Sequence, residues 1–307
     1  FPASIKTVTN WFSSGERVFA TTLFNSGANV GALVAPATIP FIAAAWGWQS
    51  AFIAAGVLGF IWVIFWLRMP KNPRMKLAEE SAALAQAEKE EARASIPWRK
   101  LLAYRQSWSL ILVRFLTDPI WWFFLFWLPD FFSKHFGYNI KESALPLIVI
   151  YALVTVLSIL GGTLTKFLAN RGWSLNKVRK ISMLVFACCV VPMIFVQYFD
   201  MWTIVAVLGL AGGAHQAWSA SVYTLGSDMF PKSDVASITG LSGMAGQIGS
   251  VLFQTAVGFT LSWFAAQGNA SHGYDIIFMV CGSAYLAAFV IFSLIIPNIN
   301  MVAPRER

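Results

Sequence analysis

Two opposite charges stand four residues apart inside a long apolar stretch of this chain. Arg114 and Asp118 lie within residues 107–132, which otherwise carry a single charged residue, Asp130. Side chains at this spacing share one face of a helix and can neutralise each other. A charge inside a membrane span costs about 2.5–3.5 kcal/mol on insertion scales and marks a candidate functional site. Arg114 can bind an anion and Asp118 can carry a proton, and the alternative is a structural ion pair near the membrane surface.

A second polar stripe follows the spacing of a helix. His215, Ser219 and Tyr223 recur at every fourth residue, and Gln216 stands beside the first of them. Histidine has the side-chain pKa closest to neutrality, so His215 is a second candidate for proton coupling as well as for ligand binding. The plainer interpretation is a histidine that is hydrogen-bonded within a helix bundle.

Uncharged side chains add candidates for a ligand rich in hydroxyl groups. Asn25 and Asn29 are four residues apart, and Gln247 leads a polar face that continues in Ser250 and Gln254. Amides both donate and accept hydrogen bonds, as sugar hydroxyls require. They also join neighbouring helices in membranes, which is the alternative for the two asparagines. Trp121, seven residues after Arg114, extends that face of its helix and completes the candidate binding set.

The elements that position these residues are helices that span a membrane. The composition is 57% hydrophobic and 12% charged, with a mean hydropathy of +0.64. A spanning helix needs roughly 20 apolar residues. Residues 18–67 contain no Asp, Glu, Lys, Arg or His, which is enough for two spans joined by a turn at Trp46-Gly47-Trp48-Gln49. The other apolar runs cover residues 107–132, 144–165, 181–199, 201–227, 235–266 and 276–296. Period-two alternation is absent, so we predict an all-α integral membrane protein with eight complete spans.

The net charge of +8 predicts membrane topology rather than a nucleic-acid partner. Nineteen of the 22 Lys and Arg fall before the first span, after the second, fourth and sixth spans, or in the C-terminal tail. The alternate loops hold only Lys134 and Lys141. Because positive charge concentrates on the cytoplasmic side, we expect the first set of loops and the C-terminus to be cytoplasmic.

Several function classes lack their sequence signatures. No Gly-x-Ser-x-Gly, His-Glu-x-x-His, Cys-x-x-Cys or nucleotide-binding Gly-x-x-x-x-Gly-Lys-Ser/Thr pattern occurs. The three cysteines, Cys188, Cys189 and Cys281, all lie in apolar runs without metal spacing. We therefore expect no enzyme activity, no metal site and no cofactor.

Several motifs carry a resemblance to a transporter family. They are residues 11–17 (Trp-Phe-Ser-Ser-Gly-Glu-Arg), 25–31 with Pro36, Gly161-Gly162, 170–174 with Arg179-Lys180, 212–217, 227–230 and 240–244. These segments resemble the anion:cation symporter branch of the major facilitator superfamily, and the segment around His215-Gln216 looks most like the hexuronate (glucuronate and galacturonate) transporters. One position departs from the pattern: the family commonly has Asp where Lys166 stands, so we expect a plain cytoplasmic anchor there.

The resemblance implies a bundle of twelve helices in which this chain starts at the end of helix four. It divides the chain into the rest of an N-terminal bundle (1–67), a basic cytoplasmic linker (68–106), a C-terminal six-helix bundle (107–298) and a cytoplasmic tail (299–307). It also implies proton-coupled uptake of a sugar-acid anion across the inner membrane by a monomer. The essential ionic residues of helices one and four are then missing, so this chain alone should not transport. The alternatives are a symporter of another sugar acid (galactonate or glucarate) or small organic anion, or a membrane sensor without transport.

Overall fold

The computed structural model of the protein describes residues 31, 34, 35, 38–68 and 98–302. The chain divides into two compact units, residues 1–95 and 96–307. The linker and most of the first span lie outside the described residues, so the domain boundaries given above stay predictions.

The secondary structure of the described residues is helical, and all but two of the elements named below have at least 16 residues. The helices are α1 (Trp48–Arg68), α2 (Trp98–Leu101), α3 (Arg105–Phe136), α4 (Ile140–Asn170), α5 (Leu175–Val190), a 3-10 helix (Val191–Tyr198), α6 (Met201–Met229), α7 (Lys232–Ala266) and α8 (Ala270–Ile295).

In the first unit, the predicted aromatic turn separates two helical segments. Residues 38–46 are helical, and α1 begins at Trp48. Gly47 between them has a φ of 80°, which glycine adopts without steric cost. The helix is thus interrupted at Gly47, within the segment where the turn was predicted, and the hairpin itself stays a prediction.

Local sequence sets where the helices of the second unit begin and change. Asp200 caps α6 by accepting hydrogen bonds from the backbone N–H groups of Trp202 and Thr203. The Thr203 hydroxyl also donates to Asp200, and together these bonds hold the pKa of the Asp200 carboxyl below its usual value. Residues 191–198 tighten into a 3-10 helix because Pro192 has no N–H to donate to the preceding turn.

Six described helices are long and apolar enough to cross a membrane, where eight spans were predicted. They are α1, α3, α4, α5 with the 3-10 helix, α7 and α8. Helix α6 has 29 residues but does not reach the required hydropathy, because Gly212, Gly213, His215 and Gln216 occupy its middle. The span predicted at residues 18–45 lies largely outside the described residues. The integral membrane class is supported, and the count of eight stays a prediction.

Helix α3 is the central element of the second unit and packs on α6, α7 and α8. Its phenylalanines form the core at the end away from Arg114. Phe123 and Phe131 contact Phe278 of α8 with ring centroids 5.5 and 5.0 Å apart, and all three rings are buried. On the other side of the unit, α4 and α6 approach closely at Gly212 and Gly213, where a Cβ would overlap side chains of α4.

The segment after α8 returns to the ends of two other helices. Lys180 of α5 donates to the carbonyl of Pro297 (2.7 Å), and the N–H of Ile299 donates to the side-chain oxygen of Asn176 (3.2 Å). The N–H of Val302 donates to the carbonyl of Met229, the last residue of α6 (2.8 Å). Residues 297–302, which we call the post-α8 segment, therefore fasten α8 to α5 and α6.

Candidate functional site

The predicted pair on α3 is an ion pair within the second unit. The Nε and a terminal nitrogen of Arg114 both lie 2.9 Å from the same oxygen of Asp118. The side chains are 10% and 14% exposed, so neither charge is solvated as it would be at a surface. The helical spacing of four residues brings them together without help from another element.

Tyr223 of α6 completes the surroundings of Arg114. Its hydroxyl accepts a hydrogen bond from the guanidinium (3.0 Å), and the centre of the guanidinium lies 4.6 Å from the centroid of the ring. The cation is thus held by a carboxylate, a hydroxyl and an aromatic face at once. The polar stripe on α6 predicted a polar role for Tyr223 but did not identify its partner.

Glycines of α7 let that helix approach the ion pair. A Cβ on Gly243 would contact the Arg114 guanidinium, and a Cβ on Gly246 would overlap the Asp118 carboxylate. One turn further, a Cβ on Gly249 would overlap the carbonyl of Phe115. That carbonyl has no helical donor, because the residue four positions later is Pro119. The α7 backbone therefore lies directly against the charged face of α3.

A second polar cluster surrounds His215, which is 5% exposed. The indole ring of Trp121 stacks on the imidazole, with centroids 5.4 Å apart and an interplanar angle of 5°. The Nδ1 of His215 is hydrogen-bonded to the hydroxyl of Tyr285 on α8, and that hydroxyl also donates to the carbonyl of Thr117 (3.4 Å). A phenol has one proton, so both bonds form together only when His215 carries its proton on Nδ1. Nε2 of the neutral ring is then an acceptor.

Gln254 joins α7 to the Pro119 region of α3. Its side-chain oxygen accepts from the indole N–H of Trp127 (2.7 Å), and its NH2 group donates to the carbonyl of Pro119 (3.1 Å). Ser250 bonds within its own helix, to the carbonyl of Gly246 (2.8 Å). Of the polar face predicted on α7, Gln254 is therefore a contact between helices.

The remaining predicted site residues belong to neither cluster. Gln216 and Ser219 are half-buried on α6, and Gln247 is exposed on α7. Asn25 and Asn29 lie outside the described residues. Within the described ranges, no group of three His, Cys, Asp or Glu side chains is arranged to hold a metal ion.

The family model described as Major Facilitator Superfamily matches residues 1–254, which is most of the chain. The chain belongs to the Major Facilitator Superfamily.

Three of the curated relatives that match are named as transporters of sugar acids. The chain is 33% identical over 267 residues to the hexuronate transporter of Escherichia coli (strain K12), which covers 84% of this chain and 62% of that protein. It is 36% identical over 152 residues to the galacturonate transporter of Dickeya chrysanthemi, covering 47% of this chain and 44% of that protein. A probable galactarate/D-glucarate transporter of Escherichia coli (strain K12) is 24% identical and covers 98% of this chain and 70% of that protein.

A solved structure supports the superfamily fold. A bacterial homolog of the human lysosomal transporter Spinster, in an inward-facing and occupied conformation, matches with a TM-score of 0.64. The match covers 95% of this chain and 72% of that chain at 15% sequence identity, so it supports the fold alone.

Two residues that the sequence did not single out bond to candidate site residues: Tyr285 to His215 and Trp127 to Gln254. Tyr285 lies in an apolar run of α8 and has no polar neighbours at helical spacing. Trp127 is one of several aromatic residues on α3 and carries no signal that separates it from its neighbours. Their roles depend on which faces of α3, α7 and α8 meet. The rotation of each helix about its axis decides this, and one amino-acid sequence does not determine it.

Proposed function

We propose that this chain is part of a secondary active transporter that takes up hexuronates, glucuronate or galacturonate, together with protons by alternating access. The proposal rests chiefly on the burial of the Arg114 guanidinium within a span, where it contacts Asp118 and Tyr223. The 33% identity to a hexuronate transporter supports the substrate class. The chain spans 62% of the length of that relative, so transport is proposed for the whole protein.

Anion binding and proton binding are linked at this pair in the proposed mechanism. Arg114 presents planar N–H groups that suit a carboxylate, and Asp118 and Tyr223 hold it while no anion is bound. The carboxylate of the sugar acid replaces Asp118 on the guanidinium. Asp118 then takes up a proton, because an unpaired carboxylate is costly in this dry site. One proton thereby enters with each anion that Arg114 accepts.

The second cluster is proposed to hold the sugar ring. Trp121 offers an aromatic face, and the Nε2 of His215 offers an acceptor for a sugar hydroxyl. Asn25, Asn29, Gln216, Ser219 and Gln247 are the further candidates for bonds to hydroxyl groups. His215 is the second candidate for proton coupling, since its Nε2 can accept a proton.

A transporter of another sugar acid is the second candidate function. The galactarate/D-glucarate relative aligns with 98% of this chain, although at 24% identity. Galactonate, glucarate and smaller organic anions share the carboxylate that Arg114 would bind, so the sugar-binding residues decide between them. We further propose a monomer in the inner membrane with a cytoplasmic C-terminus, in line with the distribution of Lys and Arg.

The test is glucuronate uptake into proteoliposomes that carry the longest natural form of the protein containing these residues. A pH difference of one unit supplies about 1.4 kcal/mol per proton, enough for roughly tenfold accumulation. We expect accumulation driven by an inward proton gradient and competed by galacturonate but not by galactonate. Arg114→Gln should abolish uptake, and Arg171→Gln, the same change at an exposed position, should not. Proteoliposomes that accumulate another sugar acid but not glucuronate would contradict the substrate.

A further inference from the structure

An open cavity of ≈ 420 Å³ lies where α4 ends and α5 begins, away from both clusters described above. Lys166, Trp173 and Arg179 line it, and Gly162, Ala169 and Val178 add apolar surface to the lining. The cavity stands at the ends of two spans, on the side that carries the basic loops. The ends of membrane-spanning helices are where lipid headgroups are expected.

The cationic groups of this cavity are incompletely neutralised. Arg179 is paired through its Nε with Asp228 of α6 (2.8 Å), and the described part of the chain supplies no other partner for its guanidinium. Lys166 is exposed and has no acidic partner among the described residues. The lining thus holds two cations and no carboxylate, and Asp228 beside it offsets one of them, so an anion in the cavity would balance the remaining charge.

The other walls of the cavity suit an amphipathic ligand. Trp173 lines the cavity, and the Lys177 ammonium lies 4.4 Å from the centroid of its ring, adding positive charge at the rim. Tryptophan is typical of the boundary between the apolar core of a membrane and water. Cationic side chains beside apolar lining residues suit a ligand that has a phosphate ester at one end and an acyl chain at the other.

We propose that this cavity binds the phosphate of an anionic phospholipid such as phosphatidylglycerol. Lys166 and Arg179 contact the phosphate, and the acyl end of the glycerol lies over Gly162 and Val178. The proposal concerns a site separate from that of the transported anion and does not depend on the proposed substrate. Its chemistry, a phosphate ester beside two cations, is shared with soluble compounds such as glycerol 3-phosphate, and the experiment below separates the two.

The test titrates the purified protein in detergent with phosphatidylglycerol and with phosphatidylcholine, and measures bound lipid by native mass spectrometry. Lys166→Gln should weaken phosphatidylglycerol binding about fivefold, the factor expected for one lysine near an anionic headgroup. Arg171→Gln is the matched control, because Arg171 lies nearby over the ring of Phe167 (4.3 Å) and does not line the cavity. Lys166→Arg, which keeps the charge, should bind like the unchanged protein.

The outcomes are distinct. A loss confined to Lys166→Gln, absent with phosphatidylcholine, supports the site. Equal losses in Lys166→Gln and Arg171→Gln would mean diffuse attraction of charge and would overturn it. Glycerol 3-phosphate that binds as tightly as the lipid, and through Lys166, would overturn the lipid as the source of the phosphate. Failure of hexuronate uptake would leave each of these results unchanged.

Discussion

Arg114 and Asp118 depend on each other for their place inside the bundle. Each charge has lost most of its contact with water, and each has the other within 2.9 Å. In such a pair the cost of removing water from both ions offsets much of their attraction, so the pair itself contributes little net stability. Removing one partner is different, because it leaves the other charge buried without compensation.

This asymmetry predicts the behaviour of three variants. Asp118→Asn and Arg114→Gln should each lower the free energy of unfolding by about 3 kcal/mol. The double variant should recover most of that loss, since no uncompensated charge remains, and should still not take up glucuronate. Thermal unfolding in detergent and uptake in proteoliposomes measure the two properties separately. A double variant less stable than either single variant would contradict the argument.

Tyr285 holds His215 in one tautomer. Tyr285→Phe removes the hydroxyl that bonds both His215 and the Thr117 carbonyl, and leaving such buried groups unpaired costs about 1–3 kcal/mol. We expect reduced thermal stability and a weaker apparent affinity for the sugar acid. Tyr198→Phe is the control, because Tyr198 is 77% exposed and the same hydroxyl is lost there. Equal effects of the two substitutions would exclude the positioning role.

At the scale of residues, the sequence predicts side-chain contacts within one helix but not the contacts between two helices. The Arg114–Asp118 pair follows from a spacing of four, and the structure places it on α3 as expected. The partners Tyr223 and Tyr285 are 109 and 70 residues away from the side chains they bond, Arg114 and His215. Those contacts depend on helix rotation, which periodicity does not determine.

Helix α7 is shaped to lie against α3. The stripe Gly243, Gly246 and Gly249 faces the ion pair and the Phe115 carbonyl, so the two backbones approach as closely as they do in small-residue helix pairs of membranes. The same helix contains Gly240, where an added Cβ would meet nothing within 4 Å. Gly240 is therefore a control position, where a methyl group can be added to α7 without contact with another helix.

Gly246→Ala should displace Asp118 or push α7 away from α3, with loss of uptake and of thermal stability. Gly240→Ala should leave uptake unchanged and stabilise the helix by up to about 1 kcal/mol, because alanine is the better helix former. Uptake and unfolding temperature are measured for both variants in the same preparation. Normal uptake by Gly246→Ala would show that the close approach is not required.

At the scale of elements, apolar runs predict the helices well and their ends poorly. Helix α3 covers residues 105–136 where the run covers 107–132, because polar residues at a membrane surface continue a helix without adding hydrophobicity. Helix α6 is less hydrophobic than the six candidate spans, although it packs within the bundle. Its polar residues are accommodated there because Tyr223 and His215 form hydrogen bonds with neighbouring helices. The 3-10 segment at 191–198 follows from one proline and was not predicted.

In the second unit, the positive charge near the start of α5 predicts the orientation of the protein in the membrane. Arg171 lies in the loop between α4 and α5, and Lys177 and Arg179 follow in the first turns of α5. The turn between α7 and α8 holds no Lys or Arg. In a background without Cys188, Cys189 and Cys281, Gln267→Cys should react with an impermeant thiol reagent added outside intact cells. Asn170→Cys should react only after the membrane is opened. The reverse pattern would invert the topology.

The post-α8 segment (residues 297–302) resists the pulling of α8 out of the bundle. Because Pro297, Ile299 and Val302 bond to α5 and α6, a force applied to the C-terminal end of the chain acts first on these hydrogen bonds and then on α8. Ile296, Ile299 and Val302 are also buried and must be exposed before the pull reaches the helix. Extraction of α8 from the bilayer therefore begins with a separate rupture, at the junction of three helices.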